Sequence, residues 1–529
     1  MTHLVTNQPP PLQGHDTFTS DAALVAALER EGGGWGAAEV SAVGTLAGSP
    51  EVLEWGRSAE QNPPVLHTHD RYGHRIDRVE YHPSYHHLME MAIDHGLHAA
   101  PWAEVRPGAH VVRCAKTIAW SPVDYGHTCP LSMTYAVVPA LRHAPGLAES
   151  WEPGLASRTY DPSHRPAAVK AGLTMGMAMT EKQGGSDVRA NTTRAEPAGE
   201  GAFALTGHKW FCSAPMSDGF LVLAQAADGL TCFLMPRLLP DGSDNAWRIV
   251  RLKDKMADRS NASSEIEMDG ALASMVGEEG RGVRTIIEMV NRTRLDCSLG
   301  AAAQMRHGVT QAAHHARHRE AFGKRLVEQP LMRAVMADLQ LESEAATSAA
   351  MRLAGAYDRG EEAFARLATP IVKYWLTKRA PGHAAEALEC LGGNGFVEDS
   401  GMPRLFRQSP LNGVWEGSGN VICLDVLRAA DRGPEAVEAF FDELGAASGV
   451  SDAFDAEVKR LRDEMRDVPE AGARRVVERL AVALQASLLL RHAPSPVAEA
   501  FVASRITDPG AAYGSLPSGV DTAAVIERI

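Results

Sequence analysis

Five short segments carry the side chains whose types and spacing could do chemistry. The stretch "MTEKQGGSDVRANTTRA" (179–195) crowds Thr-Glu, two glycines and Ser-Asp together ahead of a run that reads as an exposed strand. Such a loop presents several backbone N–H groups at once, which suits an anion or the polar edge of a ring. Its glycines let a ligand come close to the backbone, and its hydroxyls add donors. "HKWFCS" (208–213) sets Trp210 on a strand beside a small hydroxyl residue. "HREAFGKRL" (318–326) puts Arg319 just before Phe322 and Gly323, at the end of a helical pattern. "CLGGNGF" (390–396) and "VWEGSGN" (414–420) are two more glycine-rich turns, the second holding Glu416 between an aromatic and a glycine. Taken singly, each has a plain structural reading such as a capped turn. Their order along one chain gives them weight.

The elements that must position these segments fall into blocks. Residues 1–15 are Pro- and Gln-rich and read as extended. From Asp21, "DAALVAALEREGGGWG" reads as a capped helix ending in a glycine loop, and the pattern stays mostly helical to about 170. Short alternating or apolar runs separated by Gly, Asp and Pro then predict antiparallel strands, with "AADG" a hairpin turn. After "GEEGRG" the helical period returns in long runs from Val283 to His318, Pro330 to Tyr357 and Glu361 to Leu391, with Pro370 as a kink or a helix start. In the last block Phe454, Val458, Leu461, Met465 and Val468 form one apolar stripe on a helix. The division expected is 1–172 mostly helical, 173–277 a β-barrel, 278–430 a helical bundle and 431–529 a separate helical extension.

Composition narrows the function. The 529 residues are 45% hydrophobic and 22% charged, ordinary values for a soluble globular chain. A formal net charge of −14 leaves no general footprint for nucleic acid. Seven cysteines scattered singly fit a reducing cytosol. No Lys or Arg precedes Arg30, no apolar run follows the start, and "AVALQASLLL" is far short of a membrane span. A cytoplasmic protein with no membrane contact is expected. The 21 histidines include His314 and His318 at a zinc-compatible spacing, but no HExxH or Cys cluster accompanies them, so no metal is expected. No phosphate loop or GxGxxG fingerprint is present.

In combination, "TExxxGSD", "HKWFCS", "RxxFG", "GGNGF" and "WEGSGN" over about 170–430 resemble the acyl-CoA dehydrogenases, FAD flavoproteins with helical, β-barrel and helical domains. "NQPPPL", "RLKDKMADRSNAS" and the C-terminal extension resemble one branch, the AidB type, associated with the response to DNA alkylation. The resemblance implies an α+β acyl-CoA dehydrogenase fold (N-terminal helical domain, central antiparallel β-barrel, C-terminal helical bundle) plus the helical extension. It also implies bound FAD, a homotetramer, an acyl-CoA substrate and an electron-transfer flavoprotein as partner.

The resemblance also implies roles. Met177 to Ser186 would line the flavin, with Thr180 on the pyrimidine edge, Gly185 in the close approach and Ser186 towards the phosphates. Trp210 would stack near the ring with Phe211 beside it. The family's Thr two residues after that Trp is replaced by Cys212, so Ser213 takes the hydroxyl role. Arg319 and Phe322 would reach the FAD pyrophosphate of a neighbouring subunit, an Arg fork suiting a diphosphate. Gly392 and Gly393 would pack on the same dinucleotide, although Glu389 stands where the family has Gln. Val414, Gly417, Ser418 and Asn420 would pass beside the flavin, and Glu416 would be the base for the α-proton. Arg294 lies on the helix suited to a CoA contact. AidB-type proteins are also associated with double-stranded DNA. The clusters "VKRLR" and "ARRVVER" could form a basic face, but the extension is acidic on balance, which is wrong for a simple phosphate-binding tail. The plain reading is amphipathic helices with a mixed-charge solvent face; the alternative that the resemblance implies is a DNA-binding flavoprotein with little dehydrogenase flux, and a third is an extension that clamps the oligomer.

Overall fold

The computed structural model describes residues 2–199 and 201–529. Packing divides the chain into two units: 1–50, 107–122 and 294–529 form the first, and 51–106 with 123–293 form the second. The division falls inside the helix Gly282–His318.

The first unit is a helical bundle. Its first helix, Ala22–Arg30, starts as the sequence predicts, the Asp21 carboxylate accepting from the N–H groups of Ala23 and Leu24. The long helix Pro330–Arg359 opens on Pro330, whose missing N–H costs nothing there, and stops at Gly360 in the left-handed region at φ +66°. Pro370 and Pro381 both lie within the helix Glu362–Glu389, so neither starts it.

One core runs through this unit, joining Leu24, Val112, Leu341, Ala368 and Ile422 to Phe440, Phe454, Leu480, Phe501 and Val525. Residues 431–529 are therefore cut differently from the separate extension expected. Their helices bury the apolar stripe of Phe454, Val458, Leu461, Met465 and Val468 in or against this core. They also supply charge to buried carboxylates of Pro330–Arg359: Arg505 pairs with Asp338 and Glu342, and Arg528 with Glu344. A helix buried nearly all round carries acidic groups only where cations meet them.

The second unit is built on a sheet. Strands β1 (Val65–His69) and β2 (Arg75–Glu80) make a hairpin in a region expected to be helical. Their His, Arg and Asp content lacks the apolar alternation that marks a strand in sequence. The larger sheet holds β3 (Met175–Ala178), β4 (Arg194–Gly199), β5 (Ala202–Ser213), β6 (Gly219–Ala226), β7 (Gly229–Pro236), β8 (Trp247–Leu252) and β9 (Ser263–Val276).

The pairings β6–β4–β5–β9–β7 return to β6 and close a barrel, with β3 added on β6 and β8 on β9. Closure pairs the five ring strands on both sides and leaves β3 and β8 as the edge strands. The "AADG" turn pairs Ala226 with Gly229, as predicted. The barrel is not wholly antiparallel, because β3 and the start of β4 run parallel to β6. No tight hairpin joins either to β6, and the long connections permit the parallel direction. Among the described residues no helix is long and apolar enough to cross a membrane.

Candidate active site

In the second unit the 179–195 loop is organised by an ion pair that sequence reading passed over. Glu181 and Lys209 are both fully shielded from solvent and lie 2.8 Å apart. The Glu181 carboxylate also accepts from the backbone N–H and hydroxyl of Thr192 and of Thr193. Burial alone would raise this carboxyl, but Lys209 and the Thr donors outweigh it and hold it well below the usual carboxylate range. Lys209 also donates to Leu223 O at 2.7 Å. The Glu of "TExxxGSD" and the Lys of "HKWFCS" thus tie the loop to the barrel wall.

The residues this pair positions are nearby. Trp210 N donates to Thr180 O at 2.8 Å, fixing the loop against β5. A Cβ on Gly185 would fall 2.3 Å from Thr180 Oγ1, so only glycine lets the loop fold over that hydroxyl. Met177 is buried on β3, and Ser186 is exposed at the loop surface. Lys253 Nζ stands 3.3 Å from the centre of the Trp210 ring, with Lys182 and Arg251 also over it. Phe211 is exposed beside it. Cys212 is fully buried, and burial pushes its thiol up to about 12. Ser213 is half-buried, its Oγ 3.3 Å from Ser263 Oγ.

In the first unit the turn around Glu416 is held by cations. Glu416 has φ +58°, a conformation in which a non-glycine residue carries strain, and Gly417 follows at φ +100°. Lys373, 1% exposed, donates to Trp415 O at 2.9 Å and to Gly417 O at 2.6 Å. Arg294 Nε donates to Glu416 O at 3.1 Å, and its Nη1 pairs with Asp425 at 2.7 Å. Three consecutive carbonyls thus accept from buried cations, which offsets the strain of the turn. Burial lowers the Lys373 ammonium from its usual value. The Trp415 indole N–H is taken by Asn412 Oδ1. Lys373 was missed in the sequence because it lies far along the chain on an amphipathic helix. Arg294, expected near CoA, is engaged inside its own unit.

Other predicted residues of this unit lie at its surface. Phe322 is 99% exposed at φ +53°, on the tip between Glu320–Ala321 and Lys324–Arg325. Arg319 donates to Asn7 O, and His314 Nε2 hydrogen-bonds Pro10 O, so the N-terminal segment lies along this helix end. Gly392 and Gly393 have open space where a Cβ would point, leaving bare backbone accessible. Val414, Ser418 and Asn420 are exposed.

Comparison with known proteins agrees with the motifs. Residues 7–162 match the adaptive response protein AidB N-terminal domain, 176–271 the acyl-CoA dehydrogenase middle domain and 280–430 the acyl-CoA dehydrogenase C-terminal domain. The chain is 43% identical over 506 residues to AidB of Escherichia coli (strain K12), covering 94% of each. It is 31% identical to acyl-CoA dehydrogenase family member 11 of Caenorhabditis elegans, over 81% of this chain and 72% of that one. The crystal structure of Caenorhabditis elegans ACDH-11 in complex with C11-CoA superposes with a TM-score of 0.83 at 27% identity, over 94% of this chain and 91% of that one.

Proposed function

The chain belongs to the acyl-CoA dehydrogenase family, in its AidB branch, and on that premise we propose that it is an FAD flavoprotein that oxidises an acyl-CoA at the α,β carbons with Glu416 as base. The observation that carries this reading is the Glu416 turn. A strained carboxylate residue whose neighbouring carbonyls are pinned by Lys373 and Arg294 is held in one orientation, as a base that must meet a C–H bond requires. A purely structural turn would gain nothing from a non-glycine residue at that φ.

The residues present fit FAD. Trp210 offers a flat ring, the Thr180–Gly185 contact leaves a loop of N–H and hydroxyl donors, and Lys182 brings positive charge beside Arg251 and Lys253, which share Glu265. Thr180, Gly185, Ser186, Trp210 and Ser213 would hold it. FAD, when bound, supplies the acceptor for the β-hydride. Glu416 takes the α-proton on its carboxylate, and Lys373 and Arg294 keep that carboxylate in place during the transfer. A homotetramer in which the exposed Phe322 tip and the Gly392–Gly393 backbone meet a neighbouring copy is the assembly this surface supports, and a short or branched acyl group is the substrate class.

The test is the anaerobic visible spectrum of the purified protein before and after adding isovaleryl-CoA and straight-chain homologues. Rapid loss of the oxidised flavin bands is expected, and Glu416→Gln should retain the yellow colour without bleaching. Bleaching by Glu416→Gln at the parent rate would remove Glu416 from the role.

The cations of the C-terminal extension support a structural part for it. Arg460 and Arg479 pair with Glu457, Arg462 with Glu438 and Arg491 with Glu443. DNA retention that weakens steeply between low and moderate salt would favour the DNA-binding reading instead.

A further inference from the structure

The barrel unit holds a cavity of about 260 Å³ where the β1–β2 hairpin meets the β7–β8 connection and β8. Arg75, Arg78, Arg237 and Arg248 all line it, alongside an apolar wall that includes Met216 and Trp247. We propose that this cavity binds a small organic oxyanion, its headgroup on Arg78 and Arg237 and its apolar body against Trp247 and Met216.

Arg237 is the base of the site and is 5% exposed. Its Nε donates to Ser217 O at 3.1 Å and its Nη1 to His164 Nδ1 at 2.5 Å. His164 must then carry its proton on Nε2, which faces Asp244 Oδ1 at 3.1 Å. The buried guanidinium is thus braced by a carbonyl and a neutral imidazole; among the described residues no carboxylate pairs with it directly, and burial lowers it against the more distant charges of Asp218 and Asp244. Arg78 is held more loosely, 3.5 Å from Asp244, which is itself over half exposed at the rim. Burial first, and then the charges of Arg237 and Arg78, bring the His164 imidazole down to about 4 against the opposing pull of Asp244, in keeping with its place as an acceptor for Arg237. An oxyanion between the two guanidiniums would relieve their mutual repulsion and accept from their fixed forks.

Of the cavity's carboxylates, Asp244 competes for Arg78 only at long range from the exposed rim, and Asp77 is turned to other partners. Asp77 accepts from Arg75 Nε and from Ile249 N, and so clamps the hairpin to β8. It does this at φ +42°, a strained conformation that aims the next residue, Arg78, at the cavity. Asp269 also lines the cavity and sets a limit on its net charge, which favours a singly or doubly charged ligand over a polyanion. A volume of this size suits a compact molecule, below the usual range of drug-sized sites.

The experiment is calorimetric titration of the full-length, FAD-loaded protein with phenyl phosphate, benzoate, inorganic phosphate and neutral benzyl alcohol. Phenyl phosphate or benzoate is expected to bind, the stronger of the two identifying the headgroup, with inorganic phosphate weaker and benzyl alcohol silent. Arg78→Gln should weaken binding by about tenfold, the loss of one charge-assisted hydrogen bond. Asp244→Asn, which removes a competing carboxylate at the exposed rim, should strengthen it. The proposal is overturned if no oxyanion binds at millimolar concentration, or if Arg78→Gln binds as the parent does. Equal affinity for inorganic and phenyl phosphate would overturn the organic part. Because the readout is binding and not turnover, these results stand whether or not the flavin is bleached by acyl-CoA.

Discussion

Lys373 and Glu416 show how one residue can depend on another far along the chain. Glu416 is useful only if its backbone stays in the left-handed region, and the two hydrogen bonds from Lys373 hold the carbonyls on either side. Lys373→Met should therefore cost about 3 kcal/mol of stability, two bonds to a charged donor at roughly 1.5 kcal/mol each. It should also slow flavin bleaching by acyl-CoA with little change in the substrate concentration needed for half the effect, since no substrate contact is removed. Urea unfolding and rapid-mixing spectra check the two parts. Glu416→Gln, by contrast, should leave the unfolding midpoint almost unmoved while abolishing bleaching.

The helix Pro330–Arg359 shows how an element is paired with the end of the chain. Burial pushes the Glu342 carboxyl up, but Arg379 and Arg505 outweigh it and bring it down to about 2. Glu342 accepts from Arg379 at 2.9 Å and from Arg505 at 3.2 Å. A carboxyl depressed in the folded state adds stability that is complete above its unfolded value of about 4.3 and is lost as pH falls towards the folded value. The urea midpoint should accordingly fall between about pH 4 and pH 2. Arg505→Leu should lower the midpoint at neutral pH and flatten this acid dependence, because the carboxyl then has less to lose on protonation. A parallel fall for parent and variant would show that Arg505 does not hold Glu342.

At the scale of the whole molecule, the first unit cannot spare its C-terminal end. Phe440, Phe441, Phe454 and Phe501 are all buried in the same core as Leu24 and Leu341. Cutting after Arg432 would expose that core, so the truncated chain should lose cooperative unfolding and aggregate, and not merely change assembly size. A soluble, cooperatively folding product in circular dichroism and light scattering would restore the extension as a separate clamp. The opposite surface logic applies to Phe322. A phenylalanine almost wholly exposed at a hairpin tip is poised for contact with another copy. Phe322→Ser should lower the sedimentation coefficient of the assembly without changing the melting of the monomer fold.

Much of the secondary structure was legible in the residues themselves. Helical period, caps and turn dipeptides are local signals, and they placed the long helices near their observed ends, the strands of the barrel and the turn at Ala226 and Gly229. The motifs likewise named Thr180, Trp210 and Glu416 as candidates, because glycine and aromatic spacing is written in the chain. What tertiary structure alone decided is what holds those candidates. Glu181 meets Lys209 and Lys373 meets the Glu416 turn across long sequence separations, and no periodicity records such a meeting. The β1–β2 hairpin was hidden because its charged strands lack an apolar face, and the last hundred residues looked separate because an amphipathic stripe does not say against what it packs. Local chemistry determines the elements and the reactive groups; burial and charge pairing at a distance determine which of them are held ready.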